Sequence, residues 1–496
     1  MSEAIDTLVV GAGVGGLSAA VRLAAAGQRV HVVERAPGPG GRCARIDADG
    51  YKFDTGPTIL LLKPVIEELF RSVGRKLEDY LTLVPCTPNY LIHFSDGARA
   101  EFTSDLRRMQ TSLEAIEPGS FSGYLRYLEE GRRGLEVSLD RFVTRNFDTF
   151  ASFATPGNLQ QVFAVNAHRS LYSVVSKYFQ DERLRIALSF QTMYLGISPH
   201  EAPGVYALLP YTELADGIWF PMGGLYALPL AIERLAKELG VTFEYGTTVD
   251  RITIDGDRVT GVRLEDGTVR TAARVLANAD LPFVYRKLIP EARLPRAEKL
   301  KYTSSAYMLY LGLDGRAKGL EHHNVFLAES FKKNFDEIFG SFTVPDDPSF
   351  YVNVPTRTDP SLGPEGCDQL YVLVPVPHQH PNIDWKEAGP KLRAKVFERL
   401  AREGYGDLEK RIVVERVCDP DGWAEGFNLE RGAAFGLSHN FFQVGYFRPS
   451  NQDATFSNLF FVGASTQPGT GLPMVMLSAR LVSERILGSP ATEAAA

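Results

Sequence analysis

Ile5-Asp6-Thr7-Leu8-Val9-Val10-Gly11-Ala12-Gly13-Val14-Gly15-Gly16-Leu17 is the stretch whose reading decides the fold. Its apolar start has the pattern of a buried parallel strand. It runs into G-x-G-x-x-G at 11–16, and Leu17 to Ala26 then reads as a helix with Gly27 just past its end. Gln28 to Val33 reads as a second strand, which closes on Glu34. Each part of this order has a physical task. Gly11 permits the tight turn, Gly13 lets a pyrophosphate reach the backbone, and Gly16 lets helix and strand pack closely. Ala12 and Gly15 complete the loop, whose free N–H groups, aided by the helix dipole, suit phosphates. Glu34 lies 18 residues past Gly16, placed to accept ribose hydroxyls. The order as a whole points to a dinucleotide. The bland competitor is a glycine-rich turn in another α/β protein.

Outward from this unit come Arg35 and then Gly38-Pro39-Gly40-Gly41-Arg42, a second glycine-rich turn carrying an arginine. Such a turn suits a further contact to the pyrophosphate and flavin side of an extended cofactor. Gly50-Tyr51-Lys52-Phe53-Asp54-Thr55-Gly56-Pro57 follows. G-G-R with F-D-x-G-P resembles the flavoproteins of the amine oxidase and phytoene desaturase superfamily. The resemblance implies FAD, wrapped by these segments, with Arg35, Gly41, Arg42, Gly56 and Pro57 against it. Two ordinary surface turns are the alternative.

At the other end, Leu459-Phe460-Phe461-Val462 reads as an apolar strand running into Gly463-Ala464-Ser465-Thr466-Gln467-Pro468-Gly469-Thr470-Gly471-Leu472-Pro473. A helix from Met474 to Leu487 follows, with Pro473 suited to its first turn. This helix N-terminus can face the flavin edge where negative charge builds on reduction. Oriented N–H groups stabilise that charge without a charged side chain. Gly463, Ala464, Gly471, Pro473 and Met474 are the candidates there; a merely structural helix is the alternative.

Between these ends the dinucleotide unit is interrupted. Strands near Leu91–His93 and Glu101–Thr103 start a second layer, and Met109 to Tyr211 is largely helical and rich in aromatics, which read chiefly as core. A helix over Leu225–Leu239 and the runs Val241–Tyr245, Val249–Ile254, Arg258–Leu264 and Val269–Ala277 read as a return to the cofactor unit. There Val249 is placed against the adenine through its backbone, and Asn278 ends the last strand. Residues 283 to 455 read as a mixed lobe with strands Ala306–Leu313, Phe350–Pro355 and Gln369–Pro375 and a charged helix from Trp385. The expected fold class is α/β: a Rossmann-type FAD-binding domain (1–70, 215–285 and 455–496), a discontinuous mixed α+β substrate domain (71–110 and 286–454), and a helical, membrane-associated insertion (111–214).

Composition sets the outer bounds. With 496 residues, 44% hydrophobic and 23% charged, the chain has an ordinary globular balance. A net charge of −7 without a long basic run gives nucleic acid no electrostatic footprint, and no nucleic-acid partner is expected. Cys43, Cys86, Cys367 and Cys418 form no C-x-x-C and read as thiols of a reduced, cytoplasmic protein. Neither a secretion signal nor a spanning helix is expected. His378 and His380, and the pair His322-His323, have no Asp, Glu or Cys ligand set in nearby sequence, so no metal is predicted.

The resemblance then becomes specific. Asn458 to Pro473, Val354 to Gly366, Tyr371 to His378, Asp181 to Arg185 with Phe190-Gln191, and Trp219 to Gly224 all resemble carotenoid desaturase segments, so that nearly the whole chain is covered. This implies FAD-dependent desaturation of phytoene or a related acyclic carotenoid, by hydride transfer to flavin N5 and proton loss. It also implies a catalytic or orienting role for Arg169, against a structural ion pair. Gln467 stands where many members carry His, and Gly471-Leu472-Pro473-Met474-Val475 departs from the common I-P-G-V form. Both leave the carotenoid open, with hydroxylated and shorter chains included. Another flavin oxidase, such as an amine oxidase, is a competitor, although Ala464 replaces that group's acid. A non-catalytic prenyl-lipid-binding protein of the GDP-dissociation inhibitor type is another, against which the intact Gly40-Gly41-Arg42 argues. No second nucleotide fingerprint is visible, so oxygen or a quinone is the expected electron acceptor. A hydrophobic carotenoid substrate has to be drawn from a bilayer. Peripheral attachment to a membrane surface, the inner face of the cell membrane, is therefore expected through the helical insertion Phe147–Leu209. There Phe150, Phe153, Val162, Phe163 and Tyr172 mix with Arg145, Arg169 and Lys177.

Overall fold

In a computed structural model, which describes residues 4–294 and 297–488, the run Ile5–Val10 is a central strand of the first of two seven-stranded sheets. Residues 1–3 and 489–496 of the expected FAD-binding domain, and 295 and 296 of the substrate domain, lie outside the described residues. Ile5–Val10 pairs in parallel with Val30–Val33 on one side and Val269–Ala277 on the other. Thr242–Glu244 extends the sheet beyond Val30–Val33, and Leu459–Phe461 pairs in parallel with Val275 to Ala277. The earlier half of Val269–Ala277 instead pairs antiparallel with Arg258–Leu264, which pairs with Val249–Asp255. Burial along that long strand follows the change. Residues alternate where one face meets solvent, then the last three are all buried where helices cover both faces. Asn458 stitches the two halves together. Its Nδ2 donates to Val259 O at 2.7 Å and Ala273 O at 2.8 Å, and its Oδ1 accepts from the Val259 N–H at 3.0 Å.

Helix Val14–Ala25 covers this sheet, with Leu472–Leu487 and Ala227–Glu238 packed beside it. Its small residues Gly15, Gly16, Ala19 and Ala20 are buried, which brings the helix close to its neighbours. The second sheet runs Ile412–Cys418, Ser305–Leu313, Asp368–Val376, Phe350–Asn353, His323–Phe326, Tyr90–His93 and Arg99–Phe102. Only the pairing of His323–Phe326 with Tyr90–His93 is parallel in it. Helix Trp385–Leu400 packs Trp385, Leu392 and Val396 on one face. The other face turns Tyr310 and Tyr371 toward the first domain, where they donate to Thr55 O at 2.6 Å and Gly56 O at 2.5 Å. His323–Phe326 and Ile412–Cys418 were not expected as strands: the first is four residues long, and Glu415-Arg416 interrupts the apolar run of the second.

Residues 106–214 are helical pieces joined by short turns. Their aromatics divide: Tyr124, Tyr127 and Phe179 are core, whereas Phe150 and Phe163 are exposed. No helix among the described residues is long and apolar enough to cross a membrane.

Candidate functional site

Helix Val14–Ala25 starts at Gly13 without any side-chain cap, so its first N–H groups remain free. Gly11 has φ +102°, which a side chain would resist. A Cβ on Gly13 would lie 2.7 Å from Asn278 Nδ2, one on Gly15 2.9 Å from Asn278 Oδ1, and one on Gly16 2.4 Å from Gly11 O. Asn278 therefore sits inside the loop, crowding two of its glycines. Its own N–H donates to Val10 O at 2.8 Å, continuing the strand pairing. Ala12 and Gly16 are buried behind the loop and shape it from there. Glu34 is fastened by the backbone: Oε2 accepts from the Ala12 N–H at 2.6 Å and Oε1 from the Ala36 N–H at 2.8 Å. It still borders the cavity described below, as does Val249.

The second glycine turn docks on the first. The Gly40 N–H donates to Ala12 O at 2.9 Å, and a Cβ on Gly41 would lie 3.4 Å from Gly13 Cα. Arg42 Nη1 donates to Ala434 O at 3.0 Å. Burial lowers its pKa, and nearby Asp280 opposes that shift. Asp280 also accepts from the Ser465 hydroxyl and, at 3.2 Å, from the Glu430 N–H. Asp280 thus bonds the C-terminal loop and lies near enough to the N-terminal arginine to favour its charge. Arg35 is exposed and donates to Gly426 O.

Within F-D-x-G-P, a Cβ on Gly56 would meet Arg42 O at 2.3 Å, and Gly56 and Pro57 border the cavity. Asp54 does not. Its carboxylate accepts from the Leu225 and Tyr226 N–H groups at 2.7 and 2.9 Å, and burial pushes its pKa up to about 6. This aspartate thus holds the turn from strand Trp219–Pro221 into helix Ala227–Glu238.

The C-terminal loop begins at Gly463, whose N–H donates to Ser478 Oγ at 3.2 Å, and ends at Gly471, which opens helix Leu472–Leu487 with φ +102° and no side-chain cap. Gly463, Ala464, Gly471, Pro473 and Met474 all border the cavity. The loop is held by Arg448, only 2% exposed. Its Nε donates to Thr466 O at 3.0 Å, its Nη1 to Ser438 O at 3.2 Å and Gln443 O at 3.1 Å, and its Nη2 to Leu437 O at 3.3 Å and to Ala464 O. Burial lowers its pKa to about 10. In Phe447-Arg448-Pro449 nothing marks this arginine as buried. His439 faces the same loop, and its Nε2 accepts from the Thr470 N–H at 3.2 Å.

These loops open on one cavity of about 1080 Å³. Away from the glycines its wall is apolar, with Leu135, Phe153 and Tyr206 from the helical region and Tyr351, Leu373 and Pro375 from the second sheet. Arg169, expected from the resemblance to have a catalytic or orienting role, lies apart from this wall. It is exposed, and its carbonyl accepts from the Gly204 N–H at 2.8 Å, so this geometry offers no support for a catalytic contact. Cys86, distant in sequence, lies beside His322 and His323 in space.

Two helix N-termini bared to one apolar cavity, with a fastened acid at the second strand, form a cradle suited to a dinucleotide. The chain belongs to the flavin containing amine oxidoreductase family, whose model matches residues 14–487, and within it to the carotenoid desaturases; it is an FAD-dependent oxidoreductase. It is 59% identical over 483 residues, 97% of this chain and 93% of the relative, to the zeta-carotene-forming phytoene desaturase of Myxococcus xanthus. It is 38% identical over 488 residues, 96% of this chain and 92% of the relative, to the all-trans-zeta-carotene desaturase of the same organism. An oxidoreductase from Methanosarcina mazei shares the fold, with a TM-score of 0.65 at 18% identity over 97% of this chain and 100% of that one.

Proposed function

We propose that this chain desaturates phytoene and releases ζ-carotene. The carrying observation is the 59% identity to a protein of that activity, against 38% to a ζ-carotene desaturase from the same organism. FAD, when bound, supplies the hydride acceptor. The chain's residues do the rest. Gly11, Gly13, Gly15 and the bared N–H groups of Val14–Ala25 hold the pyrophosphate, with Gly41 and Arg42 on its other side. Glu34 and Val249 take the adenosine end. Gly56, Pro57, Gly463, Ala464 and Gly471 shape the ring end, where the N-terminus of Leu472–Leu487 favours negative charge. The apolar wall excludes water from the carotenoid, whose allylic cation is stabilised by its own conjugation until a proton leaves. Oxygen or a quinone takes the electrons afterwards.

Docking from the cytoplasmic side of a membrane belongs to the same proposal. Phe150, Phe163 and Phe442 are 54%, 63% and 73% exposed. The Phe150 ring lies 5.8 Å from that of Tyr446, and Phe442 lies 6.1 Å from Phe447. Phe150 and Phe442 therefore belong to one patch from the helical insertion and the 441–447 segment, and Phe150, Phe153 and Phe447 also border the cavity. An apolar path from bilayer to wall suits an insoluble substrate.

Incubation of the holoprotein with liposome-held phytoene tests the reaction, and ζ-carotene is the expected product. No desaturation, or conversion of ζ-carotene in preference to phytoene, refutes it. Flotation tests the docking: wild type should rise with the liposomes, and Phe150→Ser with Phe442→Ser should weaken this while FAD is retained. Turnover of liposomal carotenoid by a protein that never floats contradicts the docking.

A further inference from the structure

Cys86 follows the short strand Leu83–Pro85; His323 opens the strand His323–Phe326, and His322 immediately precedes it. All three are buried, at 4%, 5% and 0% exposure. The thiol sulfur and one nitrogen of each imidazole lie within 4.8 Å of one another. Hydrogen bonding decides which nitrogen is available. His322 Nδ1 lies 2.5 Å from Thr358 Oγ1; His323 Nδ1 lies 2.6 Å from Tyr351 Oη and 3.3 Å from Asn353 Nδ2. Nε2 of both rings is buried and has no partner. An unsatisfied buried polar atom is costly, and two orphaned nitrogens on rings that flank a buried thiol call for an occupant.

We propose that Cys86, His322 and His323 form a buried three-ligand site for Cu+. Thiolate and imidazole together select soft cations, of which Cu+ and Zn2+ are the usual ones. Charge separates the two. One thiolate and two neutral rings leave bound Cu+ neutral, whereas Zn2+ would leave a net positive charge. Among the described residues no Asp or Glu joins this cluster, and an uncompensated buried charge is costly. Coordination through Nε2 puts hydrogen on Nδ1, where Thr358 Oγ1 and Tyr351 Oη accept it and fix each ring; Asn353 Nδ2 then gives up His323 Nδ1 and keeps the bond it donates to His322 O at 3.0 Å. With metal–nitrogen bonds near 2.0 Å and a metal–sulfur bond near 2.3 Å, the ligand atoms close by roughly 1 Å. The thiol proton leaves to solvent as the sulfur–copper bond forms, and copper keeps its oxidation state. Tyr351 Oη also lies 3.0 Å from Thr58 Oγ1, and both residues border the cavity. The ion thus sits one side chain behind the substrate wall and outside the flavin cradle.

The holoprotein is titrated anaerobically with Cu+ and, separately, with Zn2+. Bound metal is measured by elemental analysis after desalting and by competition with a Cu+-specific chelator. One Cu+ per chain is expected, with a raised melting temperature and no retained Zn2+. Cys86→Ala and His323→Gln should lose the ion and keep their flavin absorbance. Should either variant not fold, X-ray absorption of the copper-loaded wild type must still show one sulfur and two nitrogens. Failure of the folded wild type to take up Cu+, preference for Zn2+, or unchanged uptake in both folded variants overturns the site; the first outcome assigns the space to a water.

Discussion

The glycine loop at 11–16 and the loop at 463–471 face the same cavity but are held by opposite means. The first is fixed by crowding: Asn278 and Gly11 O leave no room for a Cβ at Gly13, Gly15 or Gly16. The second has open space around Gly471 and is fixed from behind by the hydrogen bonds of Arg448. A loop that must let phosphates touch its backbone cannot carry side chains, so packing does the holding. A loop that only aims a helix end can be tied through its carbonyls. The two should break differently.

The largest effect belongs to the crowded loop. Gly13→Asp sets a carboxylate where we propose the pyrophosphate binds and a Cβ 2.7 Å from Asn278 Nδ2. Flavin retention should be abolished, read as loss of yellow colour in a folded protein. Full retention breaks the placement of the cofactor. Next comes Arg448→Met, which leaves several buried carbonyls without donors. Each costs roughly 1–3 kcal/mol, so unfolding by heat or urea should show a loss of about 3 kcal/mol or more. A loss under about 1 kcal/mol would mean that water replaces the guanidinium.

Glu213 sharpens the contrast, because it is a buried charge carrier without Arg448's partners. Burial pushes its pKa up to about 8, and the neighbouring Tyr194, Gln191 and Tyr90 oppose that shift only in part, none of them closing a well-formed hydrogen bond to either oxygen. The folded protein therefore holds this proton to higher pH than the unfolded chain, whose carboxyl titrates near about 4.3. Glu213's contribution to stability is fully present below that value and declines as pH rises toward 8. Glu213→Gln should stabilise by about 3–4 kcal/mol at pH 7.5 and little at pH 4.5, read from urea midpoints. An equal gain at both values excludes titration as the cause. The smallest effect on stability is at Gly471, where φ +102° costs a side chain about 1–3 kcal/mol. Gly471→Val should keep most of the FAD and lose turnover, measured as substrate conversion per bound flavin. Unchanged turnover removes the helix end from the flavin edge.

These two loops also mark what could be read ahead. Gly11 to Glu34 and Leu459 to Leu487 announce themselves because each is a strand, a glycine turn and a helix in contiguous sequence, and local periodicity carries the signal. Long apolar strands such as Arg258–Leu264 and Val269–Ala277 were legible for the same reason. Arg448, Asp280 and Cys86 were not. Each acts on residues far off in the chain, and an isolated arginine, aspartate or cysteine looks the same whether buried or solvated. Asp54 was visible but lay too near the glycine motif for sequence to tell cofactor contact from loop support. Arg169 shows the converse: a borrowed segment carries no guarantee that its side chain turns inward.

Leu459–Phe461 completes a sheet that Ile5–Val10 begins, and Leu472–Leu487 rests on Val14–Ala25. During synthesis, therefore, the earliest strand waits for more than four hundred residues before its sheet can close. Contacts of such separation form late, after the intervening lobe has found its own structure. A ribosome-bound chain that stops short of residue 455 should consequently be unable to retain flavin, however complete its first glycine loop. Cofactor capture then becomes the closing event of folding, and a shortage of flavin would act on the yield of finished protein as much as on its activity.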